Sequence, residues 1–303
     1  MGSPPDSGIE TIKEVMHVFD YIVIGAGSAG CVMAARLAED HSVLLIEAGR
    51  ANPAWDFRLH MPAALSEVLT STRYNWAFET EPEPFLGQRN LYCPRGKVVG
   101  GSSSINGMIF VRGHAEDFNR WSEVYGASGW SYEDVLPFFK ASETKAGGDP
   151  DYRGHTGPLK ITNGDTSSPL CQAWLEAGET LGFGRTPDFN GETQEGFGPF
   201  DRTVADGLRQ SVARAYLSPK NGLGLSGLTI LTQAEVQHIA FDGDRAVGVQ
   251  VLVDGRLKSF QASREIILSA GAIKSPQVLM RSGIGSESAL KASGIECLVP
   301  RAE

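Results

Sequence analysis

Four residues in one short stretch have the types and spacing to hold a dinucleotide. Gly25, Gly27 and Gly30 make a complete GxGxxG within Gly25-Ala26-Gly27-Ser28-Ala29-Gly30, and Glu47 follows twenty residues after Gly27. Gly25 permits a tight turn, Gly27 lets the backbone approach a pyrophosphate, and Gly30 allows a helix to pack closely on a strand. A helix N-terminus presents free N–H groups and a positive dipole end to phosphates. Glu47 can accept hydrogen bonds from a ribose diol.

The flanking elements must place these residues. YIVIG before the turn reads as a buried parallel strand, and CVMAARLAED after it carries Val32, Ala35, Leu37 and Ala38 at helical spacing. SVLLIE reads as a second strand that ends on Glu47.

A second dense stretch, RGKVVGGSSSINGMIFVRGHAEDFN, spans Arg95 to Asn119. Its small-residue run Gly100-Gly101-Ser102-Ser103-Ser104 can present backbone N–H groups and hydroxyls to an anion or a flat ring, or can serve as a flexible turn. Between the two stretches, residues 48–92 read as a long irregular segment with Trp55, Trp76 and Phe78, either a cover over a ligand or surface decoration. Two short helices around a glycine turn are expected over 117–141, with Ser131 as an N-cap and Asp134 three residues on. Gly157–Ile161 reads as a strand, PLCQAWLEAGETLG as a helix ending at Gly182, and SVARAYLSPK as a short helix stopped by Pro219. Over 228–269, LTILTQAEVQHIAFDG, DRAVGVQVLVDG and RLKSFQASREIILSA read as a β-meander whose last strand becomes the buried run EIILSAGA. Gly271-Ala272 permits close approach to a ligand, and Ser275-Pro276 is expected to start a helix closed by Gly283.

The 303 residues suffice for one large or two ordinary domains. Hydrophobic content of 41% and charged content of 21% describe a soluble globular protein. The net charge of −9 argues against nucleic acid or an anionic membrane surface as main partner. Cys31, Cys93, Cys171 and Cys297 form no CxxC, so structural zinc and a disulfide framework are not expected and a reducing cytoplasm fits. No apolar run has transmembrane length, residues 1–17 read as a disordered leader without a signal peptide, and no GxSxG elbow is present.

Three stretches together resemble the glucose–methanol–choline (GMC) family of flavin alcohol oxidoreductases, in its bacterial choline dehydrogenase-like branch: IVIGAGSAG…LLIEAG, RGKVVGGSSSINGMIFVRG, and SAGAIKSPQVLMRSGIG at Ser269 to Gly285. The resemblance spans roughly Val18 to Val299. It implies an α/β fold, α+β overall: a Rossmann-like FAD-binding domain with a β-meander (18–160 and 225–285) and an incomplete substrate-binding α+β domain (161–224 and 286–303). It implies non-covalent FAD, since Ile105 stands where covalently flavinylated members carry histidine. Gly25, Gly27, Ser28, Ala29 and Gly30 would hold the pyrophosphate, and Glu47, with Ala48 beside it, the adenosine ribose. Val236 would lie near the adenine, Gly101 and Ser102 near the isoalloxazine, and Val98, Asn106, Gly107, Met108 and Ile109 along the flavin end. The implied reaction takes a hydride from an alcohol carbon to flavin N5, with a quinone-like acceptor or oxygen as final partner and a cytoplasmic location, peripheral to a membrane at most through that acceptor. The family's catalytic histidine falls beyond Glu303, and His17, His41, His60, His114, His155 and His238 do not occupy its position. The resemblance therefore implies a chain inactive on its own, either the N-terminal part of a longer enzyme or a flavin-binding remnant. An NAD-dependent Rossmann enzyme is the third reading, and the second and third motifs weigh against it.

Overall fold

A computed structural model describes residues 17–218 and 225–301. The expected leader, apart from His17, lies outside the described residues, as do Pro219 and the first five residues of KNGLGLSGLTIL. His17 is already the first residue of a strand.

That strand, β1 (His17–Ile24), leads into helix α1 (Ser28–Leu37) and strand β2 (Val43–Ile46). β1 and β2 pair in parallel, Tyr21 opposite Val43 through Ile24 opposite Ile46. Their continuous apolar sequence follows from burial on both faces. Ile22, Ile24, Leu44 and Ile46 point to one core, and Val23, Val43 and Leu45 to another. Ala34 of α1 seals the second core beside the short helix Val212–Tyr216, whose Ser211 accepts a cap bond from the Arg214 N–H.

The sheet is completed by β3 (Leu228–Leu231), β4 (Ala234–Asp242), β5 (Arg245–Val253) and β6 (Arg256–Leu268), in the order β3-β2-β1-β6-β5-β4. β6 serves two partners. Arg256 to Gln261 runs antiparallel to β5, and Phe260 to Leu268 runs parallel to β1, so the meander feeds the central sheet as the sequence predicts. One detail differs. LTIL does not continue into the meander: the chain breaks at Gln233 (φ 55°) and β3 pairs in parallel with β2 at the sheet edge. Val236, Ile239, Val249, Val251 and Val253 fold back over Ile22 and Leu44 with Val278 of helix α2 (Gly271–Arg281). That helix starts four residues before the predicted Ser275. Pro276 stands inside it, where its missing N–H deprives only the first turn of a bond.

Residues 106–211 are built differently. The strands are two- or three-residue pairings: Ile109–Phe110 with Asp201–Arg202, Glu143–Lys145 with Leu159–Ile161, and Val204–Ala205 with Leu208–Arg209. Helices Ala115–Glu123, Tyr132–Ser142 and Pro169–Thr180 surround them, the second opened by the expected capping box of Ser131 and Asp134. At the centre Arg153, fully buried, donates to Glu143 Oε1 at 2.8 Å, Asp201 Oδ2 at 2.6 Å and Asp188 Oδ2 at 2.7 Å. Arg112 reaches Glu143 at 2.9 Å, and Lys145 reaches Asp201 at 2.7 Å.

Candidate functional site

Three glycine-rich turns meet at the carboxyl ends of β1 and β6. Gly25 (φ 95°) turns the chain out of β1, and a Cβ there would sit 2.6 Å from the Ser269 carbonyl oxygen. A Cβ on Gly30 would sit 1.9 Å from the Gly25 oxygen, so α1 lies on the turn at a distance only glycine permits. Gly101 (φ 52°), in the turn Gly101–Ser104, crosses directly over Gly27. A Cβ on Gly101 would lie 2.7 Å from Gly27 Cα, and the Gly100 N–H donates to the Ala26 oxygen at 2.7 Å. Gly27 itself has open space: a Cβ there would meet nothing nearer than the Ser269 oxygen at 3.9 Å.

The open space is a cleft of about 840 Å³, its mouth included. Gly25, Gly27, Gly101 and Ser102 line its floor, Glu47, Ala48 and Val236 one end, and Ser269 to Gly271 the side where α2 begins. Opposite stand Trp76 and Phe78, with ring planes 5° apart and centroids 5.8 Å apart. The ammonium groups of Lys97 and Lys274 lie 4.2 and 4.1 Å from the Trp76 ring centroid. Lys274 also donates to Glu235 at 3.0 Å.

Glu47 is nearly buried. Its Oε2 accepts the Ala26 N–H at 3.0 Å and its Oε1 the Gly49 N–H at 2.8 Å, so the carboxylate ties the end of β2 to the glycine turn. Burial pushes its pKa up to about 7, against the opposing pull of those two N–H groups and Lys97.

The expected residues separate into groups. Gly25, Gly27, Glu47, Ala48, Gly101, Ser102 and Val236 line the cleft. Ser28 and Ala29 are exposed in the first turn of α1, and Gly30 is buried behind it. Val98 does not face the cleft: it is fully buried against Leu59, Val68, Tyr74 and Ile105. Asn106, Gly107, Met108 and Ile109 lie past the Gly101–Ser104 turn and do not line the cleft. Asn106, Gly107 and Ile109 are exposed, and Met108 is buried in a left-handed conformation (φ 63°). Ile105 is 2% exposed and packs into the core with Val98. Arg95, Glu235, Lys274 and Gln277 also line the cleft, and nothing in their spacing marks them in the sequence. Trp76 and Phe78 come to it from the long irregular segment 48–92. No described histidine lines the cleft.

The residues present fit a dinucleotide. Backbone without Cβ atoms lies under the open space at Gly27, the unpaired N–H groups of the first turn of α1 stand beside it, and a carboxylate closes one end. No helix among the described residues is long and apolar enough to cross a membrane.

Comparison with known proteins agrees with this geometry. Over 278 residues the chain is 51% identical to an oxygen-dependent choline dehydrogenase of Escherichia coli (strain SMS-3-5 / SECEC), covering 90% of this chain and 49% of that protein. It thus spans about half the length of the curated relatives it matches. Among solved structures, pyridoxine 4-oxidase from Mesorbium loti superposes with a TM-score of 0.87 at 36% identity, over 93% of this chain and 55% of the other. A formate oxidase of Aspergillus oryzae studied for its FAD modification superposes with a TM-score of 0.84 at 28% identity, over 95% and 51%. FAD, the cofactor the three motifs imply, is the one that family and neighbours support. Residues 19–295 match the GMC oxidoreductase family, and with the crossed glycine turns in place the chain belongs to that family.

Proposed function

We propose that the cleft binds FAD non-covalently and that the chain forms the cofactor-holding part of an oxidoreductase acting on a CH–OH group, with choline and related small alcohols as the substrate class. The observation that carries this is the crossing of Gly101 over Gly27 above open space, with Glu47 closing one end. The FAD-binding part is then 18–160 with 225–285, and 161–224 with 286–303 belongs to the substrate side.

When bound, FAD supplies hydride acceptance from the alcohol carbon and passes the electrons to a quinone-like acceptor or oxygen. The chain's own residues bind and orient. The backbone at Gly25 and Gly27 and the N–H groups of Ser28 and Ala29 hold the pyrophosphate, Glu47 the ribose, and the strand edge at Val236 the adenine. Ser102 and Gly101 form the floor toward the isoalloxazine. Ile105, apolar and turned into the core, offers no nitrogen for a covalent bond. No histidine among the described residues lines the cleft, and we place the base outside these residues. The chain alone is then expected to bind FAD and not to oxidise choline, alkanols or sugar alcohols.

The test is FAD uptake by the purified chain and by Gly27→Leu. The Gly27 backbone (φ −79°) suits any residue and its Cβ direction is open, so leucine fills the cleft without straining the turn. Uptake by the wild type, release of all flavin on acid precipitation, and loss of uptake in Gly27→Leu at unchanged melting temperature are expected. Tight NAD binding with no flavin uptake would overturn the reading.

A further inference from the structure

The Gly101–Ser104 turn is held from behind by a buried cation without a counter-ion among the described residues. Arg209 is 1% exposed. Its Nη1 donates to the Asn106 carbonyl at 2.6 Å, to Asn106 Oδ1 at 2.9 Å and, at 3.5 Å, to the Ser103 carbonyl. Asn106 Oδ1 in turn accepts the Met108 N–H at 3.1 Å, fixing the left-handed residue that leads into Ile109–Phe110. The other edge of the guanidinium is unmatched: Nε and Nη2 are both buried and have no hydrogen-bond partner among the described residues. Arg209 also forms no ion pair among the described residues, whereas Arg112, with one unmatched nitrogen, has Glu143 at 2.9 Å.

This arrangement is expensive for a purely structural bond. Burying an unpaired charge and leaving two donors unsatisfied both destabilise the fold. A neutral donor could hold one carbonyl without the charge. A cost of this kind in a fold is expected at functional sites. The turn that Arg209 holds contributes Gly101 and Ser102 to the cleft.

We propose that Arg209 is a positioning residue of the cofactor cleft: it pins the turn from Gly101 to Asn106 and sets a positive charge, without an ion pair among the described residues, behind that turn. The proposal rests on the FAD reading above. Burial lowers the Arg209 pKa to about 10, so the group stays cationic at neutral pH. The isoalloxazine ring is largely anionic at neutral pH when reduced and neutral when oxidised, while the pyrophosphate charge is the same in both forms. The cation therefore favours the reduced form, and the pinned turn favours both.

The experiment measures the affinities of the full chain for oxidised and reduced FAD, under anaerobic conditions for the latter, in wild type, Arg209→Met and Arg209→Lys. The preference for reduced over oxidised FAD is expected to fall about tenfold in Arg209→Met, the scale of one unit charge acting through the protein. Arg209→Lys keeps the charge and is expected to retain most of that preference while binding both forms more weakly, because a single ammonium does not reproduce the hold on Asn106. Melting of the apo protein is expected to be unchanged or higher in Arg209→Met, since an uncompensated buried charge is gone. A methionine variant that takes up FAD with the wild-type preference overturns the proposal, and so does a lysine variant that loses as much preference as methionine. If Arg209→Met does not fold, the lysine variant alone decides. Failure of the wild type to take up FAD overturns the FAD reading together with this one.

Discussion

The sheet around β1 and the region around Arg153 are held by different forces. In the sheet, fully buried Ile22, Val23, Leu45 and Val251 contribute area removed from water, a non-directional and divisible quantity. Around Arg153, three cations and three carboxylates from five chain segments meet out of water, and each is tolerable only because the others are present. The first kind of interior loses stability in increments. The second fails when one member is removed, because the remainder is left charged and unpaired. The division also follows the work: strand ends on an apolar frame can carry close-packed glycine turns, while short ladders need a polar clasp to stay in place.

The largest expected effect comes from breaking the clasp. Among the described residues, Arg153→Met leaves Glu143 with Arg112 as its one cation, Asp201 with Lys145 as its one cation, and Asp188 without its guanidinium. A loss of about 3–5 kcal/mol is expected in urea unfolding, the range for removing one partner of a buried ion pair. A loss under about 1 kcal/mol would show that water enters and solvates the carboxylates. The apolar counterpart is Leu45→Ala on β2, expected to cost about 3 kcal/mol through lost burial and the cavity left behind. If the two regions differ as argued, Leu45→Val recovers most of the Leu45 loss, while Arg153→Lys recovers little, since one ammonium cannot span three carboxylates.

The same contrast decides what could be read from the sequence. β1, the glycine turn, α1, β2 and Glu47 were legible because period-specific apolar patterns and glycine spacing are local signals. The double use of β6 was legible too, because its sequence changes from a meander strand to the apolar run EIILSAGA. Ile266, Ile267 and Leu268 there are only partly buried, not the buried run expected. The clasp was not legible. Arg112, Glu143, Arg153, Asp188 and Asp201 are ordinary charged residues until the fold brings them together, and nothing in their spacing announces it. The Trp76–Lys97–Lys274 grouping failed for the same reason. Val98 and Asn106 to Ile109 were expected along the flavin, yet Val98 is core and Asn106 to Ile109 run beyond the floor of the cleft. A motif locates a stretch of chain and does not say which side of its backbone faces the ligand. The Gln233 break and the early start of α2 were hidden by a left-handed glutamine and an internal proline, both against local preference.

A third effect is expected where the apolar frame holds a charge of its own. The folded-state pKa of Glu47 is raised to about 7 from an ordinary 4.5, so the folded protein binds this proton more tightly than the unfolded chain. The associated stability is fully present below about pH 4.5 and is lost as pH rises through about 7. Between pH 5 and 7 the apo protein should lose roughly 2 kcal/mol from this group. Glu47→Gln should flatten that slope in melting temperature against pH. An equal slope in both proteins would mean that another group carries it.

The smallest effect tests how far the clasp reaches outward. Helix Tyr132–Ser142 is capped by Ser131, whose Oγ accepts the Asp134 N–H while Asp134 accepts the Ser131 N–H. None of its residues is fully buried, and Phe138 is 76% exposed, so its own packing contributes little. Its last turn, however, delivers Glu143 to Arg153, and Phe139 lies under the Arg112 guanidinium at 5.2 Å. If the clasp acts only on its own members, Ser131→Ala removes one cap, costs about 1 kcal/mol, and speeds amide exchange in the first turn alone. If the helix and the clasp form one cooperative unit, faster exchange will extend through Glu143 to Arg153 and the loss will exceed about 2 kcal/mol. We expect the local outcome. The bonds from Glu143 to Arg112 and Arg153 fix the C-terminal end of the helix independently of how its N-terminal end is capped, and FAD uptake should be unchanged.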